Sequence, residues 1–347
     1  MSSLDRLSKR ELELYRFKTD PLADDVINDY FPDQKQLLFS HLTELTNNSC
    51  QVNVAAYPSL KALHEDVLSK GSQAPTHLLI DGQQFFNKHA SDIMLLLGLL
   101  SLPYCYAAAN GAEVLVRSKR ILDDPEKRLL ETAEFVFNVM SHEAFQPKGK
   151  GSISILKVRL MHAAARWYAK QDNWNTEILG EPVNQEDMSG TNLAFSLIVI
   201  RGLKKLGKTV SNIDTLAYIN YWNEIGRMLG IEEQLLPGSN KEAYVLERNI
   251  RERQFAESES GRRLTKSLLQ YFERATFDSP LKGQSTSFVA YLLGDKISNM
   301  LGVKNTSFDT AIFQPYKFLF KIQNILSLKD DSYGRALVQF RLVKDAS

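Results

Sequence analysis

The 347-residue sequence predicts an all-α protein, and three observations support that fold class. Apolar residues recur at helical spacing along most of the chain, helix starts and stops are recognisable, and strand-like alternation is scarce. Only residues 52–57 and 114–116 are candidates for short extended segments. Because strands do not alternate with helices, a doubly wound α/β sheet is disfavoured, and the lack of an internal repeat removes helical solenoids.

The helices of the N-terminal half are predicted from their boundary signals. Asp124 followed by Pro125 is an N-cap with a proline in the first turn. The break at 147–151 precedes Ser152, which is predicted to cap the next helix. Residues 90–101 are apolar on all sides, so this segment is expected in the interior. The helices predicted here are 4–17, 34–45, 60–68, 90–101, 124–143 and 152–170.

The helices of the C-terminal half follow from similar signals. Asn184 with Asp187 behind it indicates a helix start, and Gly207 and Gly230 indicate helix ends. The tail carries several aromatic residues, which either pack on the helical core, the simpler interpretation, or line an apolar channel or partner surface. The predicted helices are 184–206, 211–229, 241–276, 286–301 and 308–328. We therefore predict a single all-α domain with peripheral helices at both ends.

Composition limits the possible partners. The chain has 42 Lys and Arg against 41 Asp and Glu, which argues against a nucleic-acid-binding protein. Two cysteines, Cys50 and Cys105, make a disulfide scaffold implausible and fit a reducing compartment. The first 17 residues carry charges throughout and do not resemble a secretory signal, and the longest apolar run, 93–109, contains Pro103. We expect a soluble cytoplasmic protein without a membrane span, of unknown oligomeric state.

His162 is the histidine with the most distinctive neighbours. If 152–170 is a helix, Arg159 and Arg166 lie about 60° and 40° from His162 around its axis, on the same side. Two nearby cations disfavour protonation of the imidazole, and a neutral imidazole is the form that binds a metal. In one interpretation His162 is a core residue whose flanking arginines pair with carboxylates elsewhere. In the other the arrangement is a b-type haem site, in which the imidazole binds iron and the arginines pair with the propionates.

Four segments, in order, carry a family resemblance. DPEKRLLETAEFV at 124–136 places Arg128 and Thr132 one turn apart, and RLMHAAAR occupies 159–166. GEPVNQEDMSGTNLAF at 180–195 and AYINYWNEIGRMLGI at 217–231 follow. Together they resemble the catalytic domain shared by the rubber oxygenases, or latex-clearing proteins, and the mycophenolic-acid pathway oxygenase of the fungal endoplasmic reticulum. The clearest resemblance covers about 111–231.

The resemblance implies a fold and a site. The fold would have a globin-like core at about 85–305 that holds haem b, with N-terminal helices at 1–75 and a helical tail at 306–347. His162 would be the iron ligand, and Arg159 and Arg166 would hold the haem or its surrounding network. Arg128 and Thr132 would face the distal side, and Thr191 is a further polar residue in a family-like position. The family's activities are oxidative cleavages of isoprenoid carbon–carbon double bonds with dioxygen.

The sequence also departs from the rubber oxygenases. They carry a lysine before the distal threonine, where this chain has Glu131, which could act as a base, pair with Arg128 or point away from the iron. They also have an acidic residue ahead of this helix, and Glu113 lies near that place. Because the chain shows neither an export signal nor an anchor, we expect an unsaturated apolar small molecule, such as an isoprenoid or lipid, rather than an extracellular polymer.

Three functional hypotheses remain open at this point. The first is a haem b-dependent oxygenase with Arg128, Glu131 and Thr132 as catalytic residues. The second is a haem-binding sensor or carrier without turnover, which the substitution at Glu131 leaves possible. The third is a helical protein of the same family that no longer binds haem. The RLMHAAAR segment is intact, which argues against the third hypothesis.

Overall fold

The computed structural model describes residues 8–52, 57–117, 125–275, 284–304 and 332–346. Within these ranges the chain forms eighteen α-helices, one π-helical turn and one 3-10 turn. The described residues contain no β-strand, only an isolated antiparallel bridge between Ala108 and Phe255. The all-α prediction is therefore confirmed.

The helices have the following bounds in chain order. They are α1 (Lys9–Tyr15), α2 (Pro21–Tyr30), α3 (Lys35–Glu44), α4 (Pro58–Gln73), α5 (Thr76–Leu96), α6 (Leu102–Tyr106), α7 (Ala109–Arg117), α8 (Pro125–Met140), α9 (Gly151–Gln171), α10 (Thr176–Leu179), α11 (Gln185–Phe195), α12 (Leu197–Lys205), α13 (Asn212–Met228), α14 (Asn240–Gln254), α15 (Glu259–Ala275), α16 (Ser285–Leu293), α17 (Asp295–Met300) and α18 (Ser332–Ala346). The π-helical turn is Leu97–Ser101, and the 3-10 turn is Glu233–Leu235.

The chain divides into two compact units, each assembled from three segments. The first unit consists of Met1–Gln84, Glu134–Leu193 and Asn212–Arg253. The second unit consists of Phe85–Ala133, Ala194–Ser211 and Gln254–Ser347. The single domain spanning 1–347, with its core and terminal regions, stays a prediction.

A hydrophobic core in the first unit joins α2, α3, α4 and α9. Helix α2 buries one face because its apolar residues recur every three to four positions, and α9 packs against both α2 and α4. Phe31, just after α2, packs edge-on against Trp167 of α9 with ring centroids 5.5 Å apart. The fully buried aliphatic residues of this core include Val26, Leu38, Leu60, Leu63 and Leu156.

In the second unit, the π-helical turn lies between α5 and α6. The amide of Leu102 donates to the carbonyl of Leu97, five residues earlier, so the turn is one residue wider than an α-helical turn. Pro103 follows at once and has no amide hydrogen to donate. Helices α12 and α16 pack against this turn, and Leu97, Leu99 and Leu100 are buried there. Packing on both sides therefore supports the irregular backbone.

Several predicted helices are interrupted in the structure. Residues 184–206 form α11 and α12, because Ser196 has non-helical angles of φ −111° and ψ −83°. Residues 241–276 form α14 and α15, because Phe255 leaves the helix and bridges Ala108. Residues 286–301 form α16 and α17, because Gly294 has a φ of 80°.

Other predictions differ at the boundaries. The extended segment at 114–116 was wrong, because Val114 is buried on α7, which packs against α6 and α15. The cap at Ser152 was also wrong: α9 begins at Gly151 with Lys150 as N-cap, and Ser152 is buried in the first turn. Helix α2 was not predicted, and the predicted helix at 90–101 is the end of a helix that begins at Thr76 and passes into the π-helical turn.

Parts of some predictions lie outside the described residues. They are the first residues of the helix at 4–17, most of the segment at 52–57 and the aromatic tail at 308–328.

Candidate functional site

Helix α9 carries the three residues of the RLMHAAAR segment. Arg159 and Arg166 lie on its buried face, whereas His162 is half-buried at the edge of that face. Next to His162 the helix presents Val158, Met161 and Ala165, which are also half-buried. His162 therefore lies between the buried face that contains the two arginines and a partly exposed apolar stripe on the same helix.

Arg159 is held by two carboxylates from other helices of the first unit. Its Nε and Nη2 donate to the two carboxylate oxygens of Asp20, each at 2.7 Å. Its Nη1 donates to Oδ2 of Asp66 at 2.5 Å and to the carbonyl of Met228 at 3.3 Å. Burial alone would lower the pKa of Arg159, but the contacts with Asp20 and Asp66 raise it, so the guanidinium stays charged.

Arg166 lies about two turns further along α9 and has a different set of partners. Its Nε donates to Oδ1 of Asp24 at 2.6 Å, and its Nη1 donates to the carbonyl of Val183 at 3.1 Å. The side chain is only 2% exposed, yet its buried Nη2 has no hydrogen-bond partner. The unused N–H donors of this buried nitrogen could bind an anionic group or a carbonyl oxygen.

The ion pairs of both arginines match the first interpretation of the sequence, in which they reach carboxylates elsewhere. Asp20, Asp24 and Asp66 were not among the candidate residues. Asp20-Pro21 has the same form as the recognised helix start Asp124-Pro125, so this signal could have identified α2. The predicted contact between the arginines and propionates stays a prediction.

Asp20 stands at the N-cap of α2 but does not cap it. An aspartate at this position ordinarily accepts a hydrogen bond from an amide in the first turn, and here no such side-chain bond is present. Both carboxylate oxygens bond to Arg159 instead. Gly230 lies against this pair, and a Cβ atom at Gly230 would lie 3.2 Å from both Arg159 Nη2 and Asp20 Oδ2.

The segment before α2 is tied down by Gln185 of α11. Its backbone amide donates to the carbonyl of Lys18 at 3.0 Å. Its side-chain amide donates to the carbonyls of Thr19 at 2.9 Å and Gly230 at 2.8 Å, while its side-chain oxygen accepts from the amide of Glu232 at 2.9 Å. Gln185 therefore links the segment that carries Asp20 to the loop after α13.

A second buried charge cluster, which the sequence did not reveal, lies nearby on α11. Glu186 is fully buried and accepts from Arg253 Nε at 2.8 Å and from Arg16 Nη1 at 3.4 Å. Arg16 also contacts Asp187 at 3.3 Å, and Arg253 contacts Glu13. Burial raises the pKa of Glu186, and the contacts with Arg253 and Arg16 oppose that rise.

Thr191 lies further along α11, on an exposed part of the helix. Its hydroxyl donates to the carbonyl of Asp187 at 2.9 Å, four residues earlier. The predicted helix start is confirmed one turn before it, where Asn184 Oδ1 accepts from the amide of Asp187 at 3.0 Å. The role of Thr191 in holding a cofactor stays a prediction.

Arg128, Glu131 and Thr132 lie together on α8, in the part of the helix that belongs to the second unit. All three are half-buried. Arg128 Nη1 lies 3.3 Å from Glu131 Oε2, and the Thr132 hydroxyl donates to the Arg128 carbonyl at 2.9 Å. Of the three possibilities for Glu131, pairing with Arg128 is the one seen in the structure.

Glu113, on α7 of the same unit, is occupied by two partners. It accepts from the Ser260 hydroxyl and from Arg117 Nε at 2.9 Å. The hydrogen bond from Ser260 has the largest effect on the pKa of Glu113, and together with the bond from Arg117 it holds this pKa below the usual value. The fully buried Tyr106 lies in the field of Arg128, and burial raises the pKa of its phenol.

The described ranges contain no ready-made multi-residue metal site. No group of three or more His, Cys, Asp and Glu side chains in these ranges could hold a metal ion. In the same part of the chain, none of the helices combines the length and the apolar character needed to cross a bilayer.

Comparison with known proteins identifies the family. The model of the family described as "ER-bound oxygenase mpaB/B'/Rubber oxygenase, catalytic domain" matches residues 88–321, well over half of the chain. The rubber oxygenase of Streptomyces sp. (strain K30) is 27% identical over 185 residues, which cover 52% of this chain and 45% of that relative. The matched part is thus less than half the length of the relative.

A solved structure shares the fold. The structure of latex clearing protein LCP in the closed state superposes with a TM-score of 0.75, covering 94% of this chain and 91% of that one at 22% sequence identity. At this identity the similarity concerns the fold alone. The family match includes α8, with Arg128, Glu131 and Thr132, and α9, with its arginines and His162. The chain therefore belongs to the family of MpaB-type and rubber oxygenase catalytic domains.

Proposed function

We propose that this protein is a haem b-dependent oxygenase that uses dioxygen to oxidise or cleave an unsaturated apolar small molecule, such as an isoprenoid or a lipid. The observation that carries the proposal is the family match across the segment that contains His162. This residue lies at the edge of a helix face whose two arginines are paired with aspartates. Family membership supports the oxygenase class, and the environment of His162 supports the choice of cofactor.

His162 is the proposed iron ligand. The side chain is half-buried and its Nδ1 atom is shielded from solvent, and we propose Nε2 as the ligand atom. A haem iron takes four ligands from the porphyrin and needs only one or two from the protein, so a single histidine is sufficient. Val158, Met161 and Ala165 offer a partly exposed apolar surface beside the ring, as expected where a largely apolar cofactor binds.

The two arginines fit a haem differently. Arg159 has each of its nitrogens engaged with protein acceptors, so we assign it to the network that surrounds the haem. Arg166 has a buried Nη2 without a partner, which fits a contact with a propionate or with a water bound to it. We also propose Thr191, which is exposed on α11, as a polar residue that helps to hold the cofactor.

A bound haem b would supply the redox chemistry for the use of dioxygen. The catalytic residues that we propose are those of α8, which belong to the second unit. We propose that Glu131 Oε2 holds or passes a proton, that Arg128 fixes the Glu131 carboxylate through their 3.3 Å contact, and that Thr132 adds a hydroxyl one turn after Arg128.

We further propose that the protein works in the cytoplasm, without a nucleic acid partner. Neither Cys50 nor Cys105 forms a disulfide bond in the part of the chain that the structure describes, in keeping with a reducing compartment. The formal charge of +1 provides no general attraction to phosphate backbones. The substrate proposed here is accordingly a small molecule available inside the cell.

The test is an absorption spectrum of the purified full chain, reconstituted with haem and recorded oxidised, reduced and with carbon monoxide. A Soret band that is lost or displaced in His162→Ala, but unchanged in the exposed-histidine control His142→Ala, is expected. Absence of a Soret band after reconstitution would reject the proposal. A normal haem spectrum without oxygen consumption on a panel of terpenoids and unsaturated fatty acids would favour a haem sensor or carrier.

A further inference from the structure

We propose that Asp20 and Asp24 are positioning residues for His162, and that they act through Arg159 and Arg166. This inference rests on the proposed function, because it assigns a role to the surroundings of the proposed iron ligand. Both aspartates lie at the start of α2, outside the residues 88–321 that match the family model. The N-terminal helices would then be part of the functional site.

Asp20 does not perform the capping role that its position favours. It occupies an N-cap position ahead of Pro21, where aspartate is a preferred capping residue. Its carboxylate makes no capping bond and forms a two-bond pair with Arg159, with both distances at 2.7 Å. Two parallel bonds between planar groups fix orientation as well as distance. The local helix start is thus left without its side-chain cap in favour of a contact with α9.

Two attachments, Asp20–Arg159 and Asp24–Arg166, hold α9 to α2 at separate points. Asp20 and Asp24 are about 6 Å apart along the chain direction of α2, and Arg159 and Arg166 are about 10 Å apart along α9, at 1.5 Å per residue. His162 lies between the two arginines in the sequence of α9. One attachment would leave α9 able to rotate or slide about that point, whereas two attachments on either side of His162 restrict both movements.

Burial limits the access of water to the contacts of both arginines. Arg159 and Arg166 are each 2% exposed and Asp20 is 4% exposed, so water hardly competes for the Asp20–Arg159 bonds, whereas Asp24 is 24% exposed. Arg159 has a further anchor in Asp66 of α4, which Lys70 also contacts at 2.9 Å. These bonds hold the helix that carries His162 rather than the imidazole itself, so they orient the ligand by fixing α9, and loss of such supporting contacts weakens cofactor binding.

The experiment compares Asp20→Asn, Asp24→Asn and the double variant with wild type and Glu247→Gln, all as the full chain. Glu247 is a buried carboxylate of the same unit that pairs with Arg251 at 2.8 Å on α14, so its variant controls for the loss of a buried ion pair. Haem loss to excess apomyoglobin and the ferric electron paramagnetic resonance spectrum are measured. We expect haem loss to be faster by about 10-fold or more in Asp20→Asn, with an altered ferric spectrum, and close to wild type in Glu247→Gln.

The conservative variant Asp20→Glu retains the charge and should recover part of the slow haem loss. Wild-type haem loss and an unchanged ferric spectrum in both Asp20→Asn and Asp24→Asn would overturn the inference. Should Asp20→Asn fail to fold, Asp24→Asn decides the question alone, because Asp24 is 24% exposed and its loss is milder.

A readout without haem separates this inference from the proposed function. If wild type binds no haem, the proposed function fails, and amide hydrogen exchange over 159–166 is compared in the haem-free proteins. Exchange that is about 10-fold faster in Asp20→Asn than in Glu247→Gln would still support positioning of α9 by Asp20, since released helices open more readily. Equal exchange would overturn it.

Discussion

Asp20 and Arg159 lie 139 residues apart in the sequence and form a buried pair with two hydrogen bonds of 2.7 Å each. The pair joins the start of α2 to the middle of α9, one helical turn before His162. Burying two charges is costly in itself, and such a pair is favourable only when its geometry satisfies both groups. The same two side chains therefore affect the stability of the first unit and the position of its candidate iron ligand.

Loss of Asp20 should destabilise the protein strongly. We expect Asp20→Asn to lower the free energy of unfolding by about 3 kcal/mol, because a buried guanidinium loses its main counter-charge. Adding Arg159→Met should cost less than the sum of the two single changes, because each removes the same interaction. Urea unfolding of the two single variants and the double variant measures this. Additive losses would show that the pair contributes little of its own.

Gly230 should resist substitution for two separable reasons. Its φ of 84° is unfavourable for alanine, and an added Cβ would lie 3.2 Å from both members of the Asp20–Arg159 pair. Gly207 has a similar φ of 77°, but a Cβ added there would have nothing within 4 Å, so it reports the backbone strain alone. We expect Gly207→Ala to cost about 1 kcal/mol and Gly230→Ala at least about 2 kcal/mol in thermal or urea unfolding. Equal losses of stability in the two variants would mean that the Asp20–Arg159 pair accommodates the added methyl group without cost.

Glu113 should make stability depend on acidic pH. The bond from Ser260, followed by that from Arg117, holds its folded-state pKa below the usual value of 4.5, although burial acts in the opposite direction. As the pH falls below about 4.5, the unfolded chain takes up a proton first, so the stability that Glu113 contributes at neutral pH is lost as the pH passes through its folded-state pKa.

The check is a series of urea unfolding midpoints between pH 7 and pH 3 for wild type, Glu113→Gln and Ser260→Ala. The difference between wild type and Glu113→Gln should be largest at neutral pH and shrink toward pH 3. Ser260→Ala removes the strongest contributor and should show an intermediate dependence. A difference that stays constant with pH would contradict the assignment.

Glu131 should influence both helix stability and turnover. Glu131→Lys replaces a 3.3 Å attraction to Arg128 with a like-charge pair three residues apart, and we expect a loss of about 0.5 kcal/mol. Glu131→Gln should lose about half of that. With the haem-loaded protein, Glu131→Gln should lower kcat for oxygen consumption while the Soret band stays in place, as expected for a proton-handling group. Unchanged kcat would leave Glu131 with its structural pairing only.

The sequence predicted α8 and α9 well because each combines helical periodicity with clear boundaries. Once 159–166 is helical, the placement of Arg159, His162 and Arg166 near one another follows from the geometry of a single helix. Their partners could not be predicted in the same way. Asp24 and Asp66 reach the arginines across 142 and 93 residues of chain, and only tertiary packing determines which carboxylates arrive there.

The irregular features of the helices could not be predicted from the spacing of apolar residues either. The π-helical turn at Leu97–Ser101 has an ordinary apolar sequence, and its extra residue per turn is accommodated by the helices packed around it. Ser196 interrupts a predicted helix, and a single serine is a weaker stop signal than glycine or proline. Gly294 could have been recognised as a stop, because glycine readily adopts its positive φ.

The length of chain between Asp20 and Arg159 has a consequence for folding. The first unit takes its residues from three separated segments, the last of which ends at Arg253. Synthesis proceeds at about 5–20 residues per second, so the carboxylates of Asp20 and Asp24 stay hydrated for many seconds before Arg159 and Arg166 are synthesised. Helix α2 has only ten residues and is marginal on its own in water, so its docking on α9 should be a late step.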